Sequence, residues 1–192
     1  MLEADDLDAD TRSRYLRIIK GRMDSLSTLM NNLFDYTKIS EGSNTLEIEK
    51  VNVSNVLRDA LSEAYAELQK KGFRVDVDIP DQPMYCFCNS EALQRVLQNL
   101  FKNVYTHGRE SLAVRLAAGT ITIANQVTDL SEADVEHLFE RFYTADASRS
   151  NHSTGIGLTI AQELTEQMGG TLSATKDGDL LVMKVELTTT KK

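Results

Sequence analysis

Asn99 and Asn103 stand four residues apart in a stretch where Leu93, Val96, Leu97, Leu100, Phe101 and Val104 recur at helical spacing. Two amides at that interval share one side of a helix, beside its apolar stripe. An amide oxygen is a hard ligand. Mg²⁺ takes one or two such oxygens from protein and completes its octahedron from phosphates and water. Turned to solvent, the same pair would simply be hydrated, so both readings stand on these two residues alone. Further along, Ser153-Thr154-Gly155-Ile156-Gly157-Leu158 leads into a second amphipathic stretch carrying Ile160, Ala161, Leu164 and Met168, which Gly169-Gly170 ends. Glycines at a helix N-terminus leave open amides and the positive dipole end within reach of phosphate oxygens. They serve a plain tight turn equally well.

The elements that must hold these residues follow from the spacing of apolar side chains. Tyr15, Ile19, Arg22, Leu26, Leu29, Leu33 and Tyr36 step alternately by four and three, a heptad seam interrupted by one arginine. Met23, Met30 and Phe34 widen the stripe. Such a stripe needs a partner surface, and the strict spacing favours another helix, from this chain or a second copy. Glu41-Gly42-Ser43-Asn44 reads as a hinge, dividing the chain into residues 1–42 and 43–192. In the second part strands are expected at 45–49, 75–79, 83–88 and 120–124. A closing hairpin, 171–174 with 180–187, turns at Asp177-Gly178. Helices are expected after Asn52, with Val56, Leu57, Leu61 and Tyr65 inward, after Asn89 or Ser90, and from Leu158. A short one near Ser131 carries the serine-x-x-acid capping spacing to Asp134. No element is assigned between 105 and 119. The alternation of strands and helices predicts an α/β fold, a mixed sheet with helices on one face.

Composition narrows the chemistry. A net charge of −8 over 192 residues argues against a nucleic-acid surface, which needs a basic stripe. No apolar run approaches the roughly 20 residues that span a bilayer, and no signal peptide opens the sequence. Cys86 and Cys88 would point to one face of a strand, and two thiols alone do not make a zinc site, so reduced cysteines are expected.

The order of these segments is recognisable. Asn99-Leu100-Phe101-Lys102-Asn103, then Phe139-Glu140-Arg141-Phe142-Tyr143, then Thr154-Gly155-Ile156-Gly157-Leu158 resembles the asparagine box, phenylalanine box and second glycine box of bacterial sensor histidine kinases. The helix bearing Arg14-Tyr15-Leu16-Arg17-Ile18-Ile19 resembles the second helix of their dimerisation hairpin. The resemblance covers nearly the whole chain. It implies a two-layer α/β sandwich of the type shared with gyrase and Hsp90 ATPases, preceded by a long coiled-coil-like helix. It also implies ATP and Mg²⁺ as cofactors. Asn103 would hold the metal, Asn99 would lie near the phosphates, and Thr154, Gly155, Gly157 and Leu158 would form the phosphate-facing turn. That turn would follow a mobile lid at about 144–153. Arg149 would approach the nucleotide from the lid, and Phe139 and Phe142 would anchor the lid's base.

The sequence departs from that family in three places. The aspartate-x-glycine-x-glycine box, whose aspartate bonds the adenine amino group, aligns with Asn125-Gln126-Val127-Thr128-Asp129. Asn125 keeps an oxygen acceptor, whereas both glycines are replaced. A carboxylate there would make the stronger, charge-assisted bond, so Asn125→Asp is expected to keep or raise affinity. The lysine and tyrosine that often follow the magnesium asparagine are Thr106 and His107, so one cationic phosphate contact is either missing or supplied by His107, whose imidazole is largely neutral at pH 7. Finally, none of His107, His137 and His152 has the phosphoacceptor context, so no catalytic residue is assigned and the acceptor helix is expected upstream.

The resemblance thus implies the ATP-binding catalytic fragment of a two-component histidine kinase, a transferase. In the intact protein the γ-phosphate would pass to a histidine and then to an aspartate of a response-regulator receiver domain. A homodimer would form through the N-terminal helix. The chain would be a cytoplasmic domain, joined to a membrane only through upstream segments of a bacterial sensor. Two alternatives are a non-catalytic dimerisation or docking module, favoured by the lost glycines, and an anti-sigma-type serine kinase, disfavoured by the heptad helix.

Overall fold

The structure, a computed structural model, describes residues 8–40, 46–144 and 155–189. A long helix, α1 (Ala9–Ser40), comes first. The body follows as β1 (Glu49–Asn52), α2 (Val53–Lys70), β2 (Arg74–Asp78), β3 (Tyr85–Cys88), α3 (Ser90–His107) and β4 (Gly108–Ala117). It continues as β5 (Thr120–Val127), α4 (Glu132–His137), α5 (Gly157–Gln167), β6 (Thr171–Asp177) and β7 (Leu180–Glu186). Five strands lie in the order β2-β4-β5-β7-β6, with β2 parallel to β4 and every other pair antiparallel. β1 and β3 pair separately as an antiparallel ribbon. The mixed sheet with helices packed on one face, expected from the sequence, is what forms.

Period-two alternation builds the sheet's inner face. β5 buries Ile121, Ile123, Asn125 and Val127 while Thr120, Thr122, Ala124 and Gln126 stay half-buried on the other side. β4 contributes Leu112, Val114 and Leu116 to the same core, and β7 contributes Leu181, Met183 and Val185. Helix-period stripes meet them: Leu93, Val96, Leu97, Leu100, Phe101 and Val104 of α3 are all buried, as are Ile160, Ala161 and Leu164 of α5. α3 touches both α2 and α5 and is therefore the middle helix of the layer. Its start is set by Asn89, whose side chain accepts the Ala92 N–H at 2.9 Å, and that of α2 by Asn52, which accepts from Asn55 N–H at 3.3 Å.

α1 meets the body at α5, and Leu29 packs against the core there. Tyr15, Ile19, Met23, Leu26 and Leu33 remain exposed, so one seam residue is half-covered and most of the stripe is open. The Tyr36 side chain and the expected hinge at 41–44 lie outside the described residues.

Several expectations are corrected. The first strand starts at Glu49 rather than 45, because only from there does the chain meet β3, Glu49 standing opposite Cys88. The sequence alone predicts no element where β4 stands. Its Leu112, Val114 and Leu116 do alternate with Ala113, Arg115 and Ala117, but Ala, Leu and Arg favour helix, and pairing between β2 and β5 overrides that preference. β5 runs on to Val127, three residues past its expected end. Tyr65, expected inward on α2, is 50% exposed. Cys86 and Cys88 share one face and are buried and unbridged. Burial pushes both thiols up, Cys88 to about 12, which leaves them protonated and chemically quiet.

If the core lies between the sheet and the middle helix, its centre should be sensitive to truncation. Leu97→Ala should cost about 2–5 kcal/mol in urea unfolding monitored by circular dichroism. A loss below about 0.5 kcal/mol, as at an exposed site, would place the core elsewhere.

Candidate functional site

Along α3 the polar residues fall in sequence from the α5 side to the sheet. Asn99 is half-buried, and its Nδ2 donates to the Arg95 carbonyl at 3.1 Å, one turn back. Its Oδ1 is left facing Gly157, where a Cβ would come within 3.2 Å of it. α3 and α5 thus approach one another through an amide oxygen and a residue without a side chain. Asn103 lies one turn further on, half-buried, and its side chain has no hydrogen bond among the described residues. His107 ends α3 and is exposed.

Gly108 follows directly, and it lets the helix end touch the sheet. A Cβ on Gly108 would stand 2.5 Å from Asn125 Nδ2 and 2.6 Å from the Val104 carbonyl oxygen. Asn125 therefore sits beneath the C-terminal end of α3. It is wholly buried among apolar neighbours, and its Nδ2 donates to the Gln126 carbonyl at 3.1 Å. A carbonyl can only accept, so the nitrogen must be the atom facing it. Oδ1 is then left buried with no partner among the described residues. An unmet buried acceptor costs about 1–3 kcal/mol, which a donor-bearing ligand would recover. Beside it β4 carries a bulge, with Glu110 at φ 55° between the pairs Arg109–Gln126 and Leu112–Asn125. Such irregularities redirect a strand next to a site.

The amide's geometry argues against the expectation for Asn125→Asp. A carboxylate would set an oxygen against the Gln126 carbonyl where the amide now donates, and would bury a charge besides. The lost glycines prove less disruptive than the sequence suggested. Val127 stays in β5, its N–H donating to the Asp179 carbonyl at 2.8 Å. Asp129, at the second glycine's position, takes φ 61°, a left-handed conformation that aspartate tolerates better than most residues. At residue 129 the backbone thus takes the left-handed conformation that a glycine would allow.

At the other end, Ile156 is the N-cap of α5 and supplies no side-chain cap. The first amides of α5 therefore lack a protein side-chain acceptor among the described residues, the condition for binding an anion. Gly155 takes φ 63°, and its missing Cβ is required by the Phe142–Tyr143 backbone, which would lie 2.6–2.8 Å away. Gly155 is thus a packing glycine, while Gly157 is the one at the helix start. Leu158 is buried in the core, so only its backbone can face a ligand. Phe139 packs partly against the core and its carbonyl accepts from Thr159 Oγ1 at 2.9 Å, whereas Phe142 is 60% exposed. Arg149, Thr154 and the expected lid beyond residue 144 lie outside the described residues.

The structure thus brings Asn99 to Gly157 and Asn125 to the end of α3, with Asn103 between. Residues 99 and 107 are separated by about 12 Å along a helix rising roughly 1.5 Å per residue. An elongated ligand with a hydrogen-bond donor at one end and negative charge at the other fits that layout, and an adenine nucleotide is such a ligand. Sequence reasoning missed Gly108, whose position directly after a helix and before a strand was the available signal. It also missed the tie between Tyr143 and Asp134, though Asp134 was read as a cap.

Residues 88–189, more than half of the chain, match the family described as "Histidine kinase-, DNA gyrase B-, and HSP90-like ATPase". The sensor histidine kinase YcbM of Bacillus subtilis is 34% identical over 172 residues, covering 85% of this chain and 55% of its own length. The Acinetobacter baumannii histidine kinase AdeS shares the fold with a TM-score of 0.71 at 16% identity, over 97% of this chain and 87% of that one. Full-length ShkA, solved with AMPPNP, gives a TM-score of 0.73 at 18% identity, over 97% of this chain and 41% of its own. The chain therefore spans about half the length of YcbM, and less of ShkA. With the family match centred on α3, the β5 asparagine and α5, this chain belongs to the histidine kinase-, DNA gyrase B- and HSP90-like ATPases.

Proposed function

We propose that the chain is the ATP-binding catalytic module of a two-component sensor histidine kinase, with residues 1–42 belonging to its dimerisation hairpin. The carrying observation is the buried, unpartnered Oδ1 of Asn125, an acceptor suited to the exocyclic amine of adenine and unsuited to the O6 of guanine. Asn103, one turn along α3 from Asn99, would supply an amide oxygen to Mg²⁺. Among the described residues no cluster of His, Cys, Asp and Glu could hold a metal, and in this reading most ligands come from phosphates and water. Asn99 and the start of α5, with Gly157, would receive the phosphates, together with His107, Thr154, Arg149 and the Leu158 amide.

When bound, Mg-ATP supplies a phosphoryl group already activated for transfer. The chain's own residues orient it, screen its charge and keep the base anchored, which is most of what such a reaction needs. In the intact protein the acceptor would be a histidine on another segment, and after it an aspartate of a response-regulator receiver domain. The names of the relatives and the open stripe on α1 support a homodimer through that helix. No helix among the described residues is long and apolar enough to cross a membrane, in keeping with a cytoplasmic domain of a membrane-bound sensor.

Titration calorimetry tests the site. Mg-ATP should bind with a Kd in the micromolar to millimolar range, about −8 to −4 kcal/mol. Asn125→Leu should lose about 1–3 kcal/mol, because the adenine amine is left unmet. Asn125→Asp should weaken binding as well; a leucine variant that binds normally would mean the base is read elsewhere.

Asn103→Ala should flatten the dependence of ATP affinity on Mg²⁺ concentration while leaving metal-free nucleotide binding in place. Unchanged metal dependence would remove Asn103 from the metal site.

Incubation with γ-labelled ATP should leave this chain without acid-labile label, since His107, His137 and His152 lack the acceptor context. A longer chain with the upstream helix should label, and label on the present chain would contradict the proposed division of roles.

A further inference from the structure

The short helix α4 and the phenylalanine segment are stitched to the start of α5 through one side-chain pair. Asp134 is held by α4's own cap: the Ser131 N–H and Oγ–H both donate to Oδ2 at 2.7 Å, and the Asp134 N–H donates to Ser131 Oγ at 3.1 Å. That leaves Oδ1, which accepts a short hydrogen bond from the Tyr143 hydroxyl. The backbone next to Tyr143 then meets the glycine turn. Phe142 N–H donates to the Gly155 carbonyl at 2.9 Å, and a Cβ on Gly155 would collide with Phe142 and with the Tyr143 carbonyl. Phe142 takes φ 62°, which is costly for an aromatic residue and persists only where surrounding contacts enforce it. The Thr159–Phe139 bond is the second tie between the same two segments.

We propose that Asp134 is a positioning residue for the nucleotide's phosphate end: by holding Tyr143 it fixes the Phe142–Tyr143 backbone against Gly155, and thereby the start of α5. The inference rests on the nucleotide reading above and extends it to a residue more than 20 positions away in sequence from the glycine turn. A capping role alone would end at Ser131; the bond to Tyr143 carries the constraint out of α4. The Asp134 carboxyl lies at about 2, first through the Tyr143 hydrogen bond and then through Ser131, so the acceptor stays ionised at neutral pH. His137 stands beside the pair, its ring centroid 5.6 Å from that of Tyr143, and bonds Glu140 at 2.7 Å.

Tyr143→Phe deletes the link and leaves the Ser131–Asp134 cap intact. Titration calorimetry with Mg-ATP and ligand-observed NMR with adenosine, on the present chain, separate the two ends of the site. The variant should keep its melting temperature and its adenosine affinity while binding Mg-ATP roughly fivefold or more weakly, the usual lower bound of coupling between sites. Asp134→Asn, which keeps an oxygen for the tyrosine hydroxyl, should fall between wild type and Tyr143→Phe. Equal Mg-ATP affinity in wild type and Tyr143→Phe overturns the proposal, as does a parallel loss for ATP and adenosine. Absence of Mg-ATP binding by the wild-type chain overturns the nucleotide reading itself, and this inference with it.

Discussion

The site is organised by an amide in a place where an apolar side chain would be expected. Asn125 occupies an inward position of β5, between Ile123 and Val127, and faces the end of the middle helix. Its nitrogen is committed to the neighbouring carbonyl and its oxygen is not. Much of the local architecture exists to make that position possible. Gly108 clears the space beneath α3, the bulge at Glu110 bends β4 around it, and the left-handed Asp129 turns the chain away after β5. Replacing the amide by leucine would satisfy the core, and the unfilled acceptor would disappear with the reason for the surrounding accommodations.

The opposite end is built by subtraction. Gly155 lacks a Cβ that the Phe142–Tyr143 backbone leaves no room for, and Gly157 lacks one that would crowd the Asn99 oxygen. The result is a helix start held from two sides yet bare of side-chain caps among the described residues. Between this end and Asn125 runs α3, whose core-facing stripe of Leu93, Val96, Leu97, Leu100, Phe101 and Val104 is apolar. Its rigidity comes from packing, and it transmits no charge between the two ends. The helix works as a spacer, setting the distance between a neutral acceptor and a positive helix end.

How much of this was legible in the residues differs by element. The α3 and α5 stripes, the Asn89 cap, the Ser131–Asp134 box and the final hairpin all depend on local spacing, and all stand where that spacing put them. β4 escaped because its helix-forming residues become a strand only when β2 and β5 lie alongside, a contact with no local signature. The asparagines were found as types, but their division of labour was not readable. That Oδ1 of Asn125 is free and that of Asn99 faces a glycine depends on which neighbours arrive from other elements. That Gly155 also serves packing was not readable, because the segment that needs its missing Cβ lies a dozen residues upstream.

The neutral amide at Asn125 has a consequence for acidity. In this buried position a carboxylate would have its pKa raised by desolvation, and once protonated it would donate from one oxygen, as the amide nitrogen does to the Gln126 carbonyl, while the other oxygen still accepted. The charge and hydrogen-bonding pattern of such a side chain would therefore change with acidity. Asparagine has no proton to gain over that range, so the hydrogen-bonding polarity at this buried position stays constant with pH.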